Sequence, residues 1–192
     1  VSEQKERLPL AIARQYAEEA YGLICASCVR IDIAGSIRRK KADCGDIEIV
    51  CAPKFEDAGL SLFGEATGVT NLQLARVQHL ISEGTFDHRP DKNGVNCCGA
   101  GCQRLRYKGF ALDIFPVIPP SQYGMILLIR TGSGDFNKRF VLQKAAGGQI
   151  LQTGMRIEGG ALLSFGKMIE TPEEADVFKA VGLDWIAPED RK

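Results

Sequence analysis

Two acidic residues set two apart inside an apolar run constrain this chain more than anything else in it. The run is Gly45-Asp46-Ile47-Glu48-Ile49-Val50, and a third acid interrupts a second apolar run, Ala111-Leu112-Asp113-Ile114-Phe115-Pro116. Alternation of period two predicts strands, in which residues i and i+2 share a face about 6–7 Å apart. Asp46 and Glu48 are therefore expected to project together while Ile47 and Ile49 enter the core. Neighbouring carboxylates repel unless a cation lies between them, and an acid buried among apolar neighbours, as Asp113 is expected to be, needs a partner or a metal. For Asp46 and Glu48 alone, a half-buried strand with two solvated acids is the plainer alternative.

Upstream lies Gly35-Ser36-Ile37-Arg38-Arg39. A glycine lets backbone amides and the Ser36 hydroxyl approach phosphate oxygens, and an arginine can fork onto a phosphate. Carboxylates suited to two magnesium ions, with a phosphate-binding turn nearby, suggest chemistry on a nucleoside triphosphate.

The rest of the 192-residue chain reads as mixed structure. Leu8, Ile12, Tyr16, Ala20 and Ile24 predict a helix from Pro9 to Ile24. Strands are expected at Val29–Ile33, Gly45–Cys51, Gly101–Tyr107 and Phe110–Val117, the last two joined by a Lys108-Gly109 turn. Residues 55–69 read as a loop or insertion, Thr70–Ser82 as a helix stopped by Gly84, and Met125–Arg130 as a short apolar run. A helix is expected over Asp135–Ala146 and a strand over Gln149–Arg156. Thr171-Pro172-Glu173-Glu174 reads as a capping box with proline in the first turn, opening a helix that ends at Gly182. The fold class expected is α+β, a mixed sheet flanked by helices.

Composition narrows the partners. Twenty-four basic and 24 acidic side chains give no net charge, so any grip on DNA must come from local patches. Arg104, Arg106, Lys108, Lys138 and Arg139 are the candidates. No apolar run approaches membrane-spanning length, and the polar start does not read as a signal peptide. Seven cysteines, odd in number and irregularly spaced, suggest reduced thiols. The expectation is a monomer located in the cytoplasm, nucleoid or viral replication site, and not secreted. Cys97, Cys98 and Cys102 are a better zinc candidate than Cys25 and Cys28, which reads as a small core hydrophobe.

Gly35-Ser36-Ile37-Arg38-Arg39, Gly45-Asp46-Ile47-Glu48 and Leu112-Asp113-Ile114, in this order, resemble the palm of the DNA polymerase X family. Thr131-Gly132-Ser133-Gly134-Asp135-Phe136-Asn137-Lys138 resembles its nucleotide-contacting turn, and the segments around Thr171–Glu174 and Pro188–Arg191 resemble its C-terminal ending. The resemblance implies a palm over 1–120 and a thumb over 121–192, a minimal form without the lyase and helix-hairpin-helix domains. It also implies that Asp46, Glu48 and Asp113 hold two Mg2+ ions, with Mn2+ as the substitute. Gly35, Ser36, Arg39, Gly45 and Arg7 would bind the triphosphate of a dNTP, and Gly132, Ser133 and Asn137 its sugar and base. Primer-template or gapped DNA would be the other substrate, and short-gap DNA repair the setting.

Four positions depart from the family pattern. Glu48 stands for the usual aspartate, Ile129-Arg130 for an aromatic pair bearing on sugar selectivity, Ala111 for a basic residue, and Val141 for a template-facing arginine. Two other readings are open. One is a nucleotidyltransferase that modifies a small molecule or protein by adenylylation, and the other is an inactive nucleic-acid-binding module.

Overall fold

A computed structural model describes residues 6–57, 68–117, 122–142 and 147–191. The expected boundary at 120/121, residues 58–67 and the helix end at 143–146 lie outside them. In chain order the elements are β1 (Leu8–Pro9), α1 (Leu10–Ile24), β2 (Cys28–Ile33), α2 (Gly35–Arg38), β3 (Asp43–Cys44), β4 (Ile47–Pro53), β5 (Phe55–Asp57), β6 (Val69–Asn71), α3 (Leu72–Ser82), β7 (Phe86–His88), β8 (Gln103–Tyr107) and β9 (Phe110–Pro116). They continue with α4 (Tyr123–Thr131), α5 (Gly134–Val141), β10 (Met155–Glu158), β11 (Ala161–Ser164), β12 (Lys167–Ile169) and α6 (Glu174–Ala180). The architecture is α+β, with a mixed five-stranded sheet as its centre.

That sheet has the order β2-β4-β9-β8-β7. β4 and β9 run parallel, with Glu48 opposite Asp113, and the other pairs are antiparallel. The period-two alternation separates the faces. Ile47, Ile49, Cys51, Leu105, Leu112 and Ile114 are buried against α1 and α3. Val50, Ala52, Phe115 and Val117 pack on Tyr123 and Leu127 of α4. Glu48 and Asp113 belong to this second face, so the acids lie on the side of the sheet that α4 covers. A third core, around Phe136, Phe140, Leu162, Val177 and Phe178, joins α4, α5, β11 and α6.

Several local expectations are corrected. The buried face of α1 is Ala13, Ala17, Ala20 and Ile24, whereas Ile12 is 41% exposed; small alanines let the helix approach the sheet closely. The 35–38 segment is a short helix, not a plain turn. The stretch read as a loop contains β5 and β6 at its two ends, paired antiparallel. Met125–Arg130 lies within a helix. Gln149–Gly154 is not strand. The strand is Met155–Glu158, and it opens a three-stranded sheet whose first hairpin turns at Gly159-Gly160, both with positive φ, as a two-residue turn requires. The capping box is Glu173 with Asp176, two residues later than expected. Lys108-Gly109 does form the β8–β9 turn, again with positive φ at both residues.

Candidate active site

β4 and β9 position the acids. Asp46 immediately precedes β4, Glu48 is its second residue, and Asp113 is its neighbour across the parallel ladder. All three are half-buried. The backbone of Ala34 donates to the Glu48 carbonyl at 2.8 Å, which fixes the start of α2 beside β4. Gly35 has φ +66°, and a Cβ there would collide with Glu48 Oε2. Glycine is therefore required on both counts.

Electrostatics mark this as an underneutralised site. Burial, then the Asp46 charge and more weakly Asp113, push the Glu48 carboxyl up to about 7 against the opposing pull of Arg130 and Arg39. Asp113 accepts a hydrogen bond from Nη2 of Arg89, which follows β7 directly. Among the described residues, no three His, Cys, Asp or Glu side chains converge at metal-binding distance; this covers both the acids and the cysteines. The donor chemistry nonetheless fits a hard divalent cation. Carboxylates on one sheet face raise one another's proton affinity, and a cation between them removes that repulsion.

Beside the acids is an open cavity of about 510 Å³ lined by Arg7, Ser36, Arg39, Lys41, Gly45 and Asp46, among others. It unites four residues expected from the sequence to bind phosphate, and adds Lys41. The basic run Arg38-Arg39-Lys40-Lys41 was the signal for that lysine. Arg7 donates to the Asp43 carbonyl at 2.7 Å. Arg39 donates to the carbonyls of Thr131 and of Gly132, the latter at 2.9 Å, and burial lowers its pKa. Ser36 Oγ and Arg39 Nε are buried without hydrogen-bond partners, a costly state that an anionic ligand in the cavity would relieve.

The expected sugar and base contacts lie around the α4–α5 turn. Ser133 caps α5 by accepting from the Phe136 amide at 3.0 Å. Asn137 Nδ2 donates to the Ile129 carbonyl at 2.6 Å, while its Oδ1 is buried without a partner. A Cβ at Gly132 would lie 2.5 Å from that Oδ1, so the turn closes tightly on Asn137. Arg130 stacks on Phe115, 3.6 Å from the ring centroid.

A second charged cluster ties the ends of the chain together. Glu174 accepts from Arg38 at 2.8 and 3.0 Å, from Arg191 at 2.6 Å and from Trp185 at 3.3 Å. Burial works against its ionisation, but the arginines outweigh burial and hold the carboxyl below its ordinary range. Arg191 is buried against Phe136 and Phe178.

The family model for the DNA polymerase beta thumb matches residues 126–192. DNA polymerase lambda of Rattus norvegicus is 29% identical over 177 residues, a match that covers 88% of this chain. Both matches agree with the resemblance to the DNA polymerase X family drawn from the sequence. The chain spans 29% of the length of that relative.

The remaining expectations sort by neighbourhood. Arg104 is exposed on β8 opposite Asp113. Arg106 donates to the Gly109 carbonyl. Lys108 pairs with Glu19 at 2.6 Å and sits over Tyr16 and Tyr107, so its charge is already met within the protein. Lys138 and Arg139 are exposed on α5. Cys28 is buried and His79 is an exposed helix residue paired with Glu83. No helix among the described residues is long and apolar enough to cross a membrane. Sequence reading missed Arg89, because nothing local ties it to an acid 24 residues away.

Proposed function

We propose that this chain is a DNA nucleotidyltransferase that joins a deoxynucleotide to a primer 3′-hydroxyl, filling short gaps in DNA repair. Residues 1–120 would act as the palm and 121–192 as the thumb. The observation that carries the reading is the placement of Asp46, Glu48 and Asp113 on one sheet face beside a cavity lined by Arg7, Ser36, Arg39 and Lys41.

Asp46, Glu48 and Asp113 would hold two divalent cations, Mg2+ or Mn2+. When bound, such ions supply positive charge to the attacking oxygen and to the leaving phosphates. The chain's own residues do the rest. Arg39, Ser36, Arg7 and Lys41 bind the triphosphate and compensate charge on its outer phosphates, where the leaving group develops. Gly35 and Gly45 allow the backbone to come close. Gly132 and Asn137 position the sugar and base, and exposed Arg104 and Arg139 face the nucleic-acid backbone. In the reaction the 3′-oxygen forms a bond to the α-phosphorus, the bond from that phosphorus to the bridging oxygen breaks, and pyrophosphate leaves. The hydroxyl proton passes to the Asp113 carboxylate and from there to water.

The test is extension of a labelled primer on one-nucleotide-gapped DNA and on single-stranded primer, with Mg2+ and each dNTP in turn. Addition of the complementary base on gapped DNA, absent in Asp113→Asn, is expected. Addition regardless of template would replace templated synthesis with terminal transfer. No addition by either protein would shift the acceptor from DNA to a small molecule or protein, the reading for which the neutral net charge speaks.

A further inference from the structure

Asp113 has neighbours on both sides of its strand. In the sheet register Glu48 of β4, Asp113 of β9 and Arg104 of β8 form one row. The Arg89 amide donates to the Arg104 carbonyl at 3.1 Å, which places Arg89 at the far end of that row. Arg104 is adjacent to Asp113 in the ladder yet is exposed. The ion pair is instead made by Arg89, which reaches past Arg104 to put Nη2 on Asp113 Oδ1. The pair is largely enclosed, the two side chains being 25% and 17% exposed. Its guanidinium is not fully satisfied, because Nε is buried without a hydrogen-bond partner.

We propose that Arg89 is the resident counter-ion of Asp113, and that the Arg89 guanidinium and a divalent cation occupy this carboxylate alternately. This rests on the reading of Asp113 as a metal ligand. A monodentate contact with an orphaned Nε is a poor use of a fork built for two parallel hydrogen bonds, so the pair yields more easily than a bidentate one. A cation on the same oxygen would meet the guanidinium charge at contact distance, where like charges are strongly disfavoured. Arg89 is thus a positioning residue. It holds and orients Asp113 while no cation is bound, and it weakens cation binding by the work of its own displacement.

The measurement is calorimetric titration of the metal-free full chain with Mn2+, comparing wild type, Arg89→Gln, Arg89→Lys, Asp113→Asn and the Arg89→Gln/Asp113→Asn double variant. Arg89→Gln is expected to bind Mn2+ about tenfold more tightly, the scale of one charge-assisted hydrogen bond removed from competition. Arg89→Lys, which keeps charge but loses the fork, is expected to gain about threefold, and it serves should the glutamine variant not fold. In the Asp113→Asn background the Arg89→Gln gain should vanish. A merely structural arginine would leave Mn2+ affinity unchanged or weaken it when replaced, and either result overturns the inference. If Asp113→Asn weakens Mn2+ binding but neither Arg89 variant strengthens it, this inference alone falls. If Asp113→Asn binds Mn2+ as well as wild type does, the metal reading of Asp113 falls and takes the inference with it.

Discussion

Among the described residues, two enclosed meetings of acids with arginines are built oppositely. At Glu174 a single carboxylate receives Arg38 and Arg191 and is held ionised. Where β4 and β9 pair, Asp46, Glu48 and Asp113 share one face of the sheet, Glu48 is pushed up to about 7, and Asp113 draws Arg89 from across the sheet. The first cluster is complete without any ligand and joins α2 on the sheet to the C-terminal elements. The second is short of positive charge. A fully matched buried charge serves architecture, whereas an undermatched one stores repulsion that a bound cation can relieve.

The largest effect should come from removing an acid at the undermatched centre. Asp46→Asn is expected to lower primer extension on the order of 10³-fold while leaving the denaturation midpoint unchanged or raised, since one repelling charge is gone. Retention of half the activity would end the reading of Asp46 as a metal-holding residue.

Next in size, Glu174→Ala should cost about 3–5 kcal/mol in urea unfolding, because it strands Arg191 and Arg38 without their partner. A loss below about 1 kcal/mol would show that the matched cluster does not hold the fold.

The third test uses pH to set the two clusters against each other. Glu48 binds its proton more tightly folded than unfolded, so metal-free stability should fall as pH rises from the ordinary glutamate range through about 7. By linkage the loss is on the order of 3–4 kcal/mol. Glu174 has the opposite sign. Its contribution is present above the ordinary range and disappears as pH falls through its depressed folded value. Thermal melts across pH should show Glu48→Gln flattening the neutral limb and Glu174→Gln flattening the acid limb. Identical pH profiles for the two variants would abolish the contrast.

The smallest effect is expected from Gly35→Ala. Positive φ and the clash with Glu48 Oε2 should cost about 1–2 kcal/mol of stability. Because the displaced side chain is Glu48, Mn2+ affinity should drop as well. A stability loss with unchanged affinity would confine Gly35 to a backbone role.

Much of this was legible locally. Alternation around Asp46 and Asp113 predicts β4 and β9 to within about two residues, and Lys108-Gly109 predicts their hairpin partner β8. The strand expected over Gln149–Arg156 overlaps β10 only at its end, and β11 and β12 escaped, because these strands are only three or four residues long. Such strands carry too few alternations to stand out. The α1 face was misread for a related reason: large side chains suggested Ile12, and close packing selected the alanines. The Glu173–Asp176 cap was missed because glutamate is an unusual N-cap beside the threonine that precedes it.

By itself the sequence determined which residues are the candidates for the chemistry, since composition, two-residue spacing and the Gly-Ser turn are properties of neighbours along the chain. Tertiary structure alone decided their electrical state. Glu48 stands opposite Asp113 only because β4 and β9 pair in parallel in one register. Glu174 meets Arg38 across 136 positions, and Arg89 reaches Asp113 from beyond a strand that separates them. Charge interactions depend on distance and burial in space, and no local pattern encodes either.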